Sequence, residues 1–555
     1  MTIKNEHRGA DRLAEAIHKS GVNVIFSLSG NQIMPLYDAI FEFPIRLIHT
    51  RHEAAAVFMA EAYAQVSGQI GVALVTAAPG FANALGALYS AAMSESPVIF
   101  LSGDSPCKLD GQGAFQEFDQ FTAAKAFVKH SFRLTLEDDP AEIFAQAKAL
   151  ALNGTPGPVH IALPADLLEA VNDHWEKDTS YSNQKVVSDP ISRQDLTLLL
   201  NKIYSANKPL ILAGPHVFRA QTRCQLTELA SLACVPIIDL DSPRGLRDPA
   251  KGAIKSVLAE SDLVIYLGKR IDFMSGFAST EIMPNSKLVL ICDDMQYTEH
   301  AQRQFAERLS LTVNSDAQSV VKTLMSTDEE RFTQTSMMES RKTWMGKVQG
   351  AISYRQLAVY DEGEKASHIA AIAIGNAVAK TPNTVLICDG GEFGQWAQGY
   401  VTANTRITNG PSGAIGAGLP YAIGAKVANP DTPVVAIMGD GTAGFHFAEF
   451  ETAAREGLDL TIIIGNDSKW NAEHVIQQRD YGHDRAFGCS LQENTRYDIA
   501  ATGLGCKGEN ITDLTLVEKM IEKSMSGTGT TCINISLPGA PAPQYSNPRS
   551  GQIND

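Results

Sequence analysis

Short apolar runs alternate with longer, alanine-rich amphipathic stretches along the whole chain. Apolar runs of this length, bounded by turn residues, are typical of buried strands, and the stretches between them are typical of helices. In the first third of the chain the pattern predicts helices over 9–20 and 53–66 and strands over 22–28, 46–49, 72–76, 98–102 and 157–166. This alternation predicts an α/β fold with parallel sheets rather than a sandwich or a helix bundle.

The same alternation returns in two further blocks. Strands are predicted over 210–214, 235–239, 262–268 and 287–294, and then over 384–393, 433–441, 459–467 and 531–540. Polar stretches over 172–189 and 328–344 separate the blocks. We therefore predict three doubly wound parallel-sheet domains, over residues 1–170, 190–345 and 365–540, with a C-terminal tail over 541–555.

Composition narrows the class of protein. With 44% hydrophobic and 19% charged residues, the 555-residue chain resembles a globular protein and not a disordered or collagen-like one. Its 62 acidic and 46 basic residues give a formal charge of -16, which argues against broad binding of nucleic acid or anionic lipid. The uncharged stretch 69–94 is broken by Pro79 and Gly80, so it predicts a buried strand, turn and helix rather than a membrane span. We expect a small-molecule partner.

The cysteines and the first residues bear on the compartment. The eight cysteines lie far apart, with no C-x-x-C pair and no histidine at metal-ligand spacing. The first eleven residues carry charges and no apolar segment, which argues against a signal peptide. We expect reduced thiols and a cytoplasmic protein.

The clearest chemical motif lies in the third block. A predicted strand ends in Gly439, Asp440 and Gly441, and the next strand delivers Asn466 and Asp467. The carboxyl ends of parallel strands meet at one edge of a sheet, where such sheets bind ligands. Glycines let backbone N–H groups approach phosphates, and carboxylates are hard oxygen ligands for Mg²⁺. The motif predicts a divalent ion holding a diphosphate; the alternative is an ordinary turn between a strand and a helix.

This motif resembles that of the thiamine diphosphate (ThDP) enzymes of the acetolactate synthase, benzaldehyde lyase and 2-hydroxyacyl-CoA lyase group. The resemblance covers nearly the whole chain, in the order pyrimidine-binding, central and diphosphate-binding domain. The family motif is Gly-Asp-Gly followed about two dozen residues later by Asn-Asn. This chain departs at the last position, where Asp467 replaces the second asparagine. A second carboxylate there bears on the choice and affinity of the metal.

The resemblance implies a set of diphosphate and metal contacts. It implies metal ligands at Asp440, Asp467 and the carbonyl of Lys469. It implies that the following residues bind the cofactor: Gly391, Glu392, Phe393, Gly413, Ile415, Gly439, Asp440, Gly441, Thr442, Asn466 and Asp467. Within this set, the backbone around Gly413 would bond the pyrimidine ring and Ile415 would bend the cofactor. For the glycine-rich segment 409–425, close helix packing is the alternative.

The other half of the implied site lies in the first block. In TRHEAAAVF, Glu53 matches the glutamate that activates the cofactor by a bond to its aminopyrimidine ring. A helix-start glutamate favoured by the macrodipole is the alternative. In GAFQEF, Gln116 matches a glutamine that points at the reaction centre, with a plain polar loop as the alternative.

Substrate contacts are the least specific part of the resemblance. It places Ser29, Asn31 and Gln32 at the edge of the pocket, and Ala472 at the start of a stretch, over 470–490, that would close over substrate. Benzaldehyde lyase has histidines in the first loop, and residues 27–33 here have none. The aromatic acyloin chemistry of that enzyme is therefore not transferred to this chain.

The resemblance implies a carbon–carbon lyase or carboligase that forms a ThDP-bound acyl anion or enamine from 2-hydroxyacyl or 2-oxo acid donors. The segment GAFQEF and the ending PRSGQIND favour a 2-hydroxyacyl-CoA lyase, with a CoA thioester as substrate. Acetolactate synthase-type ligation of pyruvate is the alternative. Acetolactate synthases carry FAD in the central domain, but LAGPHVF at 212–218 lacks a clustered-glycine phosphate loop, so flavin is compatible with this chain but not indicated.

Two further implications concern the assembly. In this family the site forms between two subunits, so the resemblance implies a homodimer or a homotetramer. A catalytically silent regulatory subunit with the same fold is the alternative to an enzyme. Because Glu53, Gln116 and Asp440 are present together, the enzyme is favoured.

Overall fold

The computed structural model describes residues 8–172, 175, 190–326, 337–357 and 361–545. It contains three sheets in which every pairing between strands is parallel. The strands of the first sheet are β1 (Val24–Ser27), β2 (Arg46–His49), β3 (Gly71–Val75), β4 (Val98–Asp104), β5 (His130–Arg133) and β6 (Val159–Pro164). Those of the central sheet are β7 (Pro209–Ala213), β8 (Ile237–Asp239), β9 (Leu263–Leu267), β10 (Lys287–Ile291) and β11 (Leu309–Val313). Those of the third sheet are β12 (Val385–Cys388), β13 (Thr405–Thr408), β14 (Val434–Gly439), β15 (Thr461–Asn466), β16 (Lys507–Ile511) and β17 (Thr531–Ser536).

Helices connect the strands and cover the sheets. Around the first sheet lie α1 (Gly9–Lys19), α2 (Met34–Ile40), α3 (Glu53–Ser67), α4 (Pro79–Met93), α5 (Gln120–Ala124), α6 (Pro140–Leu152) and α7 (Ala165–Glu169). Around the central sheet lie α8 (Arg193–Ser205), α9 (Ala220–Ala233), α10 (Lys255–Leu258), α11 (Met295–Phe305), α12 (Ala317–Met325) and α13 (Met338–Ile352). Around the third sheet lie α14 (Glu362–Ala379), α15 (Glu392–Tyr400), α16 (Gly418–Ala428), α17 (Asp440–Ala443), α18 (Glu449–Arg455), α19 (Asn471–Tyr481), α20 (Tyr497–Gly503) and α21 (Val517–Met525).

The outer sheets share one topology and the central sheet has another. The first sheet runs β2-β1-β3-β4-β6-β5, and the third repeats this order as β13-β12-β14-β15-β17-β16. The central sheet runs β11-β10-β9-β7-β8. The prediction of an α/β fold with three doubly wound parallel sheets is confirmed. The sheets lie within residues 24–164, 209–313 and 385–536, and the exact domain boundaries stay predictions.

The first and third domains share a core. Helix α3 packs along α16 so closely that a Cβ on Gly424 would stand 2.2 Å from the carbonyl oxygen of Met59. The rings of Phe58 and Tyr421 meet edge to face at 5.5 Å. One apolar cluster contains residues of both sheets, so the two domains form one packed unit.

Four strands were not predicted from the sequence: β5, β11, β13 and β16. Each lies at an edge of its sheet. The closing segment PRSGQIND, at 548–555, lies outside the described residues. Among the residues that are described, no helix is both long and apolar enough to cross a membrane.

Candidate functional site

A cavity of about 360 Å³ lies at the carboxyl ends of β12, β14 and β15. The strand order of the third sheet reverses between β12 and β14, and open parallel sheets bind ligands outside such a point. The cavity is lined by Pro243, Arg244, Asp389, Gly390, Gly391, Glu392, Phe393, Gln395, Gln398, Asn409, Gly413, Ile415, Gly439, Asp440, Gly441, Thr442, Gly465, Asp467, Lys469, Trp470, Asn471, Ala472 and Glu473. The structure thus brings together all the predicted diphosphate, metal and cofactor residues except Asn466.

At two positions in the cavity wall, a glycine allows its backbone to lie in close contact with a neighbouring residue. Gly391 has φ +84°, and a Cβ there would stand 3.0 Å from the Cα of Gly439. A Cβ on Gly441 would stand 2.8 Å from the ring of Trp470. Side chains at either position would fill the space that the Gly-Asp-Gly turn leaves open.

Two carboxyl groups face each other across the end of the sheet. Burial raises the pKa of Asp440 to about 6. Burial, followed by the neighbouring Asp440 carboxyl, raises the pKa of Asp467 to about 7. The Oδ1 atom of Asp440 accepts a 2.9 Å bond from the N–H of Gly441, whereas its Oδ2 atom is buried without a partner among the described residues. A buried carboxylate oxygen without a partner is costly, and a cation in the cavity would relieve that cost.

The turn after β15 aims Asp467 into the cavity. Ser468 adopts φ +56°, which is uncommon for a non-glycine residue. The Oδ1 atom of Asn466 accepts a 3.3 Å bond from the N–H of Ser468, and its amide donates a 2.9 Å bond to the carbonyl of Thr495. Asn466 therefore does not line the cavity; its side chain holds the turn that presents Asp467 and Lys469.

The donor set fits a hard divalent ion that also binds a phosphate ligand. Within the described residues, no three side chains among His, Cys, Asp and Glu form a group that could hold a metal alone. Asp440 and Asp467 supply two carboxylates, and Lys469, whose carbonyl is the third predicted ligand, also lines the cavity. Mg²⁺ is commonly held by one or two carboxylates together with substrate phosphates and water. These residues fit that pattern.

The loop after β12 forms the opposite wall. Gly391 precedes α15, so the first N–H groups of this helix lie at the cavity. Glu392 is the first residue of α15, and burial raises its pKa. Its Oε2 atom accepts a 2.7 Å bond from the amide of Gln395. Phe393 packs against Gly465, where a Cβ would stand 2.2 Å from the ring.

The segment with Gly413 and Ile415 is held by a residue that the motif search missed. Asp389 directly follows β12, and its Oδ2 atom accepts bonds of 3.0 Å from the N–H of Gly416 and 2.6 Å from that of Gly418. Burial raises the pKa of Asp389 to about 6. The local signal was an acid between a buried strand and two glycines, in CDGGEF.

Other cavity residues carried no signal in the sequence. Pro243 and Arg244 come from the central domain, so only the tertiary structure places them in this cavity. Gln398 lies almost two turns into α15, and its Oε1 atom is buried without a partner among the described residues. Gln398 Oε1 and Asp440 Oδ2 are thus two polar atoms of cavity-lining residues that have no hydrogen-bond partner among the described residues.

Glu53 lies in the first domain, at the start of α3. Its side chain is 9% exposed, and its Oε2 atom accepts a 3.0 Å bond from the amide of Asn83. The neighbouring helix α4 approaches it through Gly80, where a Cβ would stand 3.6 Å from Glu53 Oε1. The carboxyl group is thus held at the carboxyl end of the first sheet.

Gln116 and Gln32 form one hydrogen-bonded chain. The amide of Gln32 donates a 2.5 Å bond to Gln116 Oε1, and the hydroxyl of Thr76 donates a 2.5 Å bond to Gln32 Oε1. Gln116 adopts φ +61°. The carboxylate of Glu117 folds this loop by accepting bonds from the N–H groups of residues 111, 113 and 114. A predicted substrate contact therefore holds a predicted catalytic side chain.

The remaining predicted substrate contacts lie in two different domains, Ser29 and Asn31 in the first and Ala472 in the third. Ser29 is exposed, and its Oγ atom lies 3.2 Å from Nε2 of His49, at the end of β2. Residues 27–33 contain no histidine, but His49 of the neighbouring strand β2 contacts this loop. Asn31 is also exposed. Ala472 lines the third-domain cavity, in the first turn of α19.

Among the described residues, the two halves of the predicted site do not line the same cavity. The residues that line the cavity come from the central and third domains. Glu53, Gln116, Gln32, Ser29 and Asn31 are absent from its lining.

Comparison with known proteins decides the family. The model of the thiamine pyrophosphate enzyme N-terminal TPP-binding domain matches residues 7–123, and that of the C-terminal TPP-binding domain matches residues 389–535. Thiamine pyrophosphate is another name for ThDP. The chain belongs to the ThDP-dependent enzymes. The matched regions hold the Glu53 half and the Asp440 half of the site, and the predictions of this family, of ThDP and of an enzyme are confirmed.

Similar proteins within the ThDP-dependent enzymes span nearly the same length. The chain is 26% identical over 549 residues to a probable acetolactate synthase of Mycobacterium bovis, covering 96% of this chain and 97% of that protein. It is 27% identical over 555 residues to 2-hydroxyacyl-CoA lyase 2 of Xenopus laevis, covering 89% and 84%. It is 26% identical over 546 residues to the acetolactate synthase isozyme 2 large subunit of Escherichia coli, covering 95% of each chain. The identities to the two kinds of relative therefore differ by only one percentage point.

Proposed function

We propose that this ThDP-dependent enzyme is a Mg²⁺-dependent carbon–carbon lyase or carboligase of the 2-hydroxyacyl-CoA lyase kind. The observation that carries the proposal is the Oδ2 atom of Asp440, which is buried in the cavity at the switch point of the third sheet and has no hydrogen-bond partner among the described residues. Asp440, Asp467 and the Lys469 carbonyl would hold Mg²⁺, and the Gly-Asp-Gly turn and the start of α15 would hold the diphosphate. When bound, ThDP supplies a carbanion centre and an electron sink next to the donor carbonyl or hydroxyl group.

The chain's own residues would control protons and substrate position. Glu53, fixed by Asn83, is suited to exchange a proton with a ring nitrogen of the cofactor. Gln116, fixed by Gln32, is suited to orient the donor. Ser29 and His49 offer a further polar pair at the same edge of the first sheet. The apolar ring of Phe393 and the neighbouring Ile415 would exclude water from the cofactor.

The second candidate is an acetolactate synthase-type carboligase that joins two 2-oxo acids. The acetolactate synthases among the relatives favour it, with identities within one percentage point of that of the lyase. The geometry of Gln116 and Gln32 suits either donor. The segment GAFQEF, which carries Gln116, resembles the loop of lyases and synthases and favours the lyase.

The site also supports assembly in pairs. We infer that Glu53 of one subunit faces the Asp440 cavity of another, because the two lie in separate places within one chain. A homodimer would then be the smallest active unit, and a homotetramer would be a pair of such dimers.

A donor panel tests the proposal. Purified enzyme with ThDP and Mg²⁺ is offered 2-hydroxyacyl-CoA thioesters and, separately, pyruvate and other 2-oxo acids. We expect aldehyde release from the thioesters, and we expect Glu53→Gln to lower kcat by roughly 10²- to 10⁴-fold without loss of bound ThDP. The exposed Glu42→Gln, in the same domain, is the matched control and should keep full activity.

The panel also separates the alternatives. Ligation of pyruvate without thioester cleavage would make the synthase the correct function. Unchanged activity of Glu53→Gln would remove Glu53 from the proposed mechanism. If no donor reacted although ThDP was bound, the silent-subunit alternative would replace the proposal.

A further inference from the structure

The central sheet has a switch point of its own. Its order, β11-β10-β9-β7-β8, reverses between β7 and β9. A dinucleotide bound in the usual way would rest on the loop after β7, with its phosphates at the backbone N–H groups there. The resemblance to acetolactate synthases would place FAD in this domain, so the loop decides whether FAD fits.

In the loop after β7, over residues 214–217, each backbone N–H group already has a hydrogen-bond partner, and one residue is a proline without an N–H group. Gly214 donates a 3.0 Å bond to the carbonyl of Leu267, and Val217 donates a 3.2 Å bond to the carbonyl of Gly214. Pro215 has no N–H group. His216 donates a 3.1 Å bond to Oε2 of Glu95, which comes from the first domain. Residues 214–217 therefore offer no free backbone N–H group to a phosphate.

The Glu95 carboxylate lies in the crevice itself. Its Oε2 atom is 2.5 Å from Nδ1 of His216 and 3.2 Å from the place of a Cβ on Gly214. The loops after β7 and β9 are in contact, since that Cβ would stand 2.1 Å from the carbonyl oxygen of Gly268. Burial acts to raise the pKa of Glu95, but the His216 side chain and backbone outweigh it and hold the pKa below its usual range. The crevice thus already contains an anion.

Hydrogen bonds to the backbone around Glu95 also hold this residue in place. It adopts φ +54° in the turn between α4 and β4. The guanidinium group of Arg219, next to α9 of the central domain, donates a 2.8 Å bond to the carbonyl of Glu95 and further bonds to Ser94 O and Ser96 Oγ. The contact therefore joins two domains at both the side chain and the backbone of Glu95.

A second contact covers the same edge of the central sheet. The Oδ1 atom of Asp293, two residues after β10, accepts a 2.7 Å bond from the hydroxyl of Thr155 in the first domain. A Cβ on Gly154 would stand 2.0 Å from Asp293 Oδ2. The first domain therefore contacts the loops that follow β7 and β10.

We propose that Glu95 is a built-in anion that fills the nucleotide crevice of the central domain, so that this enzyme binds no FAD and uses the crevice as the joint between its first and central domains. The inference concerns a place apart from the ThDP cavity. The flavin implied by the acetolactate synthases does not fit the residues at this switch point.

Flavin binding and thermal stability test this directly. Wild-type, Glu95→Gln and Glu95→Ala enzymes are prepared with ThDP and Mg²⁺, with the exposed Glu137→Gln of the same domain as control. Wild-type enzyme should contain ThDP without FAD and should not quench the fluorescence of added FAD. Both Glu95 variants should melt several degrees below the control, because His216 loses its anionic partner.

Two results would overturn the inference. One is stoichiometric FAD in the wild-type enzyme, or saturable quenching of FAD by it. The other is melting of Glu95→Gln at the temperature of the Glu137→Gln control. Glu95→Gln keeps the side-chain shape and serves if Glu95→Ala does not fold. Because ThDP content is measured in the same samples, failure of the ThDP site would be recognised separately.

Discussion

At the scale of single residues, the surroundings decide what each carboxyl group can do. Asp440 and Asp467 look alike in the sequence, yet burial and mutual repulsion raise the pKa of Asp467 to about 7. Asp389 also lies in the cavity wall but has backbone N–H groups as partners, so its role is to hold residues 416–418. Asp440 Oδ2 lacks such a partner, which makes it the better candidate metal ligand.

The aspartate at position 467, where the family has asparagine, gives a prediction about the metal. We expect Asp467→Ala to raise the Mg²⁺ concentration needed for half-maximal activity by at least tenfold, or about 1.4 kcal/mol. Asp467→Asn should keep most of the affinity, because an amide oxygen can also bind Mg²⁺. The measurement is activity as a function of Mg²⁺ at fixed ThDP. The exposed Asp431→Ala is the control, and an Asp467→Ala curve that matches it would exclude Asp467 as a ligand.

At the scale of helices and strands, the apolar pattern predicted buried strands well and edge strands poorly. The four strands that it missed have sequences such as HSFR and KGENI, which mix polar and apolar residues. An edge strand has one neighbour instead of two and need not be apolar, so its pattern resembles that of a loop. Helix α3 shows the opposite case, since it is buried on all sides from Glu53 to Ala64 as it packs between two domains.

Glu61 lies two turns after Glu53 on α3. Its surroundings lead us to expect that the stability of the folded protein depends on pH. Glu61 is fully buried, accepts a 2.9 Å bond from the hydroxyl of Tyr421, and burial raises its pKa from an ordinary 4.5 to about 7. The folded protein therefore holds a proton that the unfolded chain releases, and stability falls as pH rises from 4.5 to about 7. Over this pH range the raised pKa of Glu61 lowers the free energy of unfolding by about 3 kcal/mol.

The variant Glu61→Gln checks this assignment. Glutamine keeps an acceptor for Tyr421 and carries no charge, so the variant should be more stable than wild type at pH 8 and similar to it near pH 4.5. Urea unfolding at the two pH values measures the difference. The exposed Glu42→Gln is the control, and if all three proteins lost stability in parallel, Glu61 would not be the responsible group.

At the scale of the whole molecule, the three sheets use their switch points differently. In the third sheet the switch point opens into the cavity, whereas in the central sheet Glu95 fills it. In the first sheet the corresponding loop carries Gln32, which bonds to Thr76 after β3. One architecture therefore provides a candidate cofactor cavity, an interdomain joint and a candidate substrate edge.

Complementation between two inactive variants tests the shared site. Glu53→Gln and Asp440→Ala are each expected to be inactive. In a mixed dimer one site would carry both substitutions and the other would carry neither, so random reassociation should restore about a quarter of the wild-type activity. The test is activity after joint unfolding and refolding of the two variants, with each refolded alone as control. No recovery in verified mixed dimers would place both groups in a site within one chain.

The sequence alone determined the fold class, the three blocks and the residue types at the ends of β14 and β15. These follow from local causes: buried parallel strands are apolar, and glycines stand where the backbone must stay open. The tertiary structure alone decided that Arg244 reaches the cavity from another domain, that Gln32 holds Gln116, that His49 meets Ser29 and that Glu95 fills the central crevice. These pairs are distant along the chain and depend on how strands and domains pack, which no local pattern records.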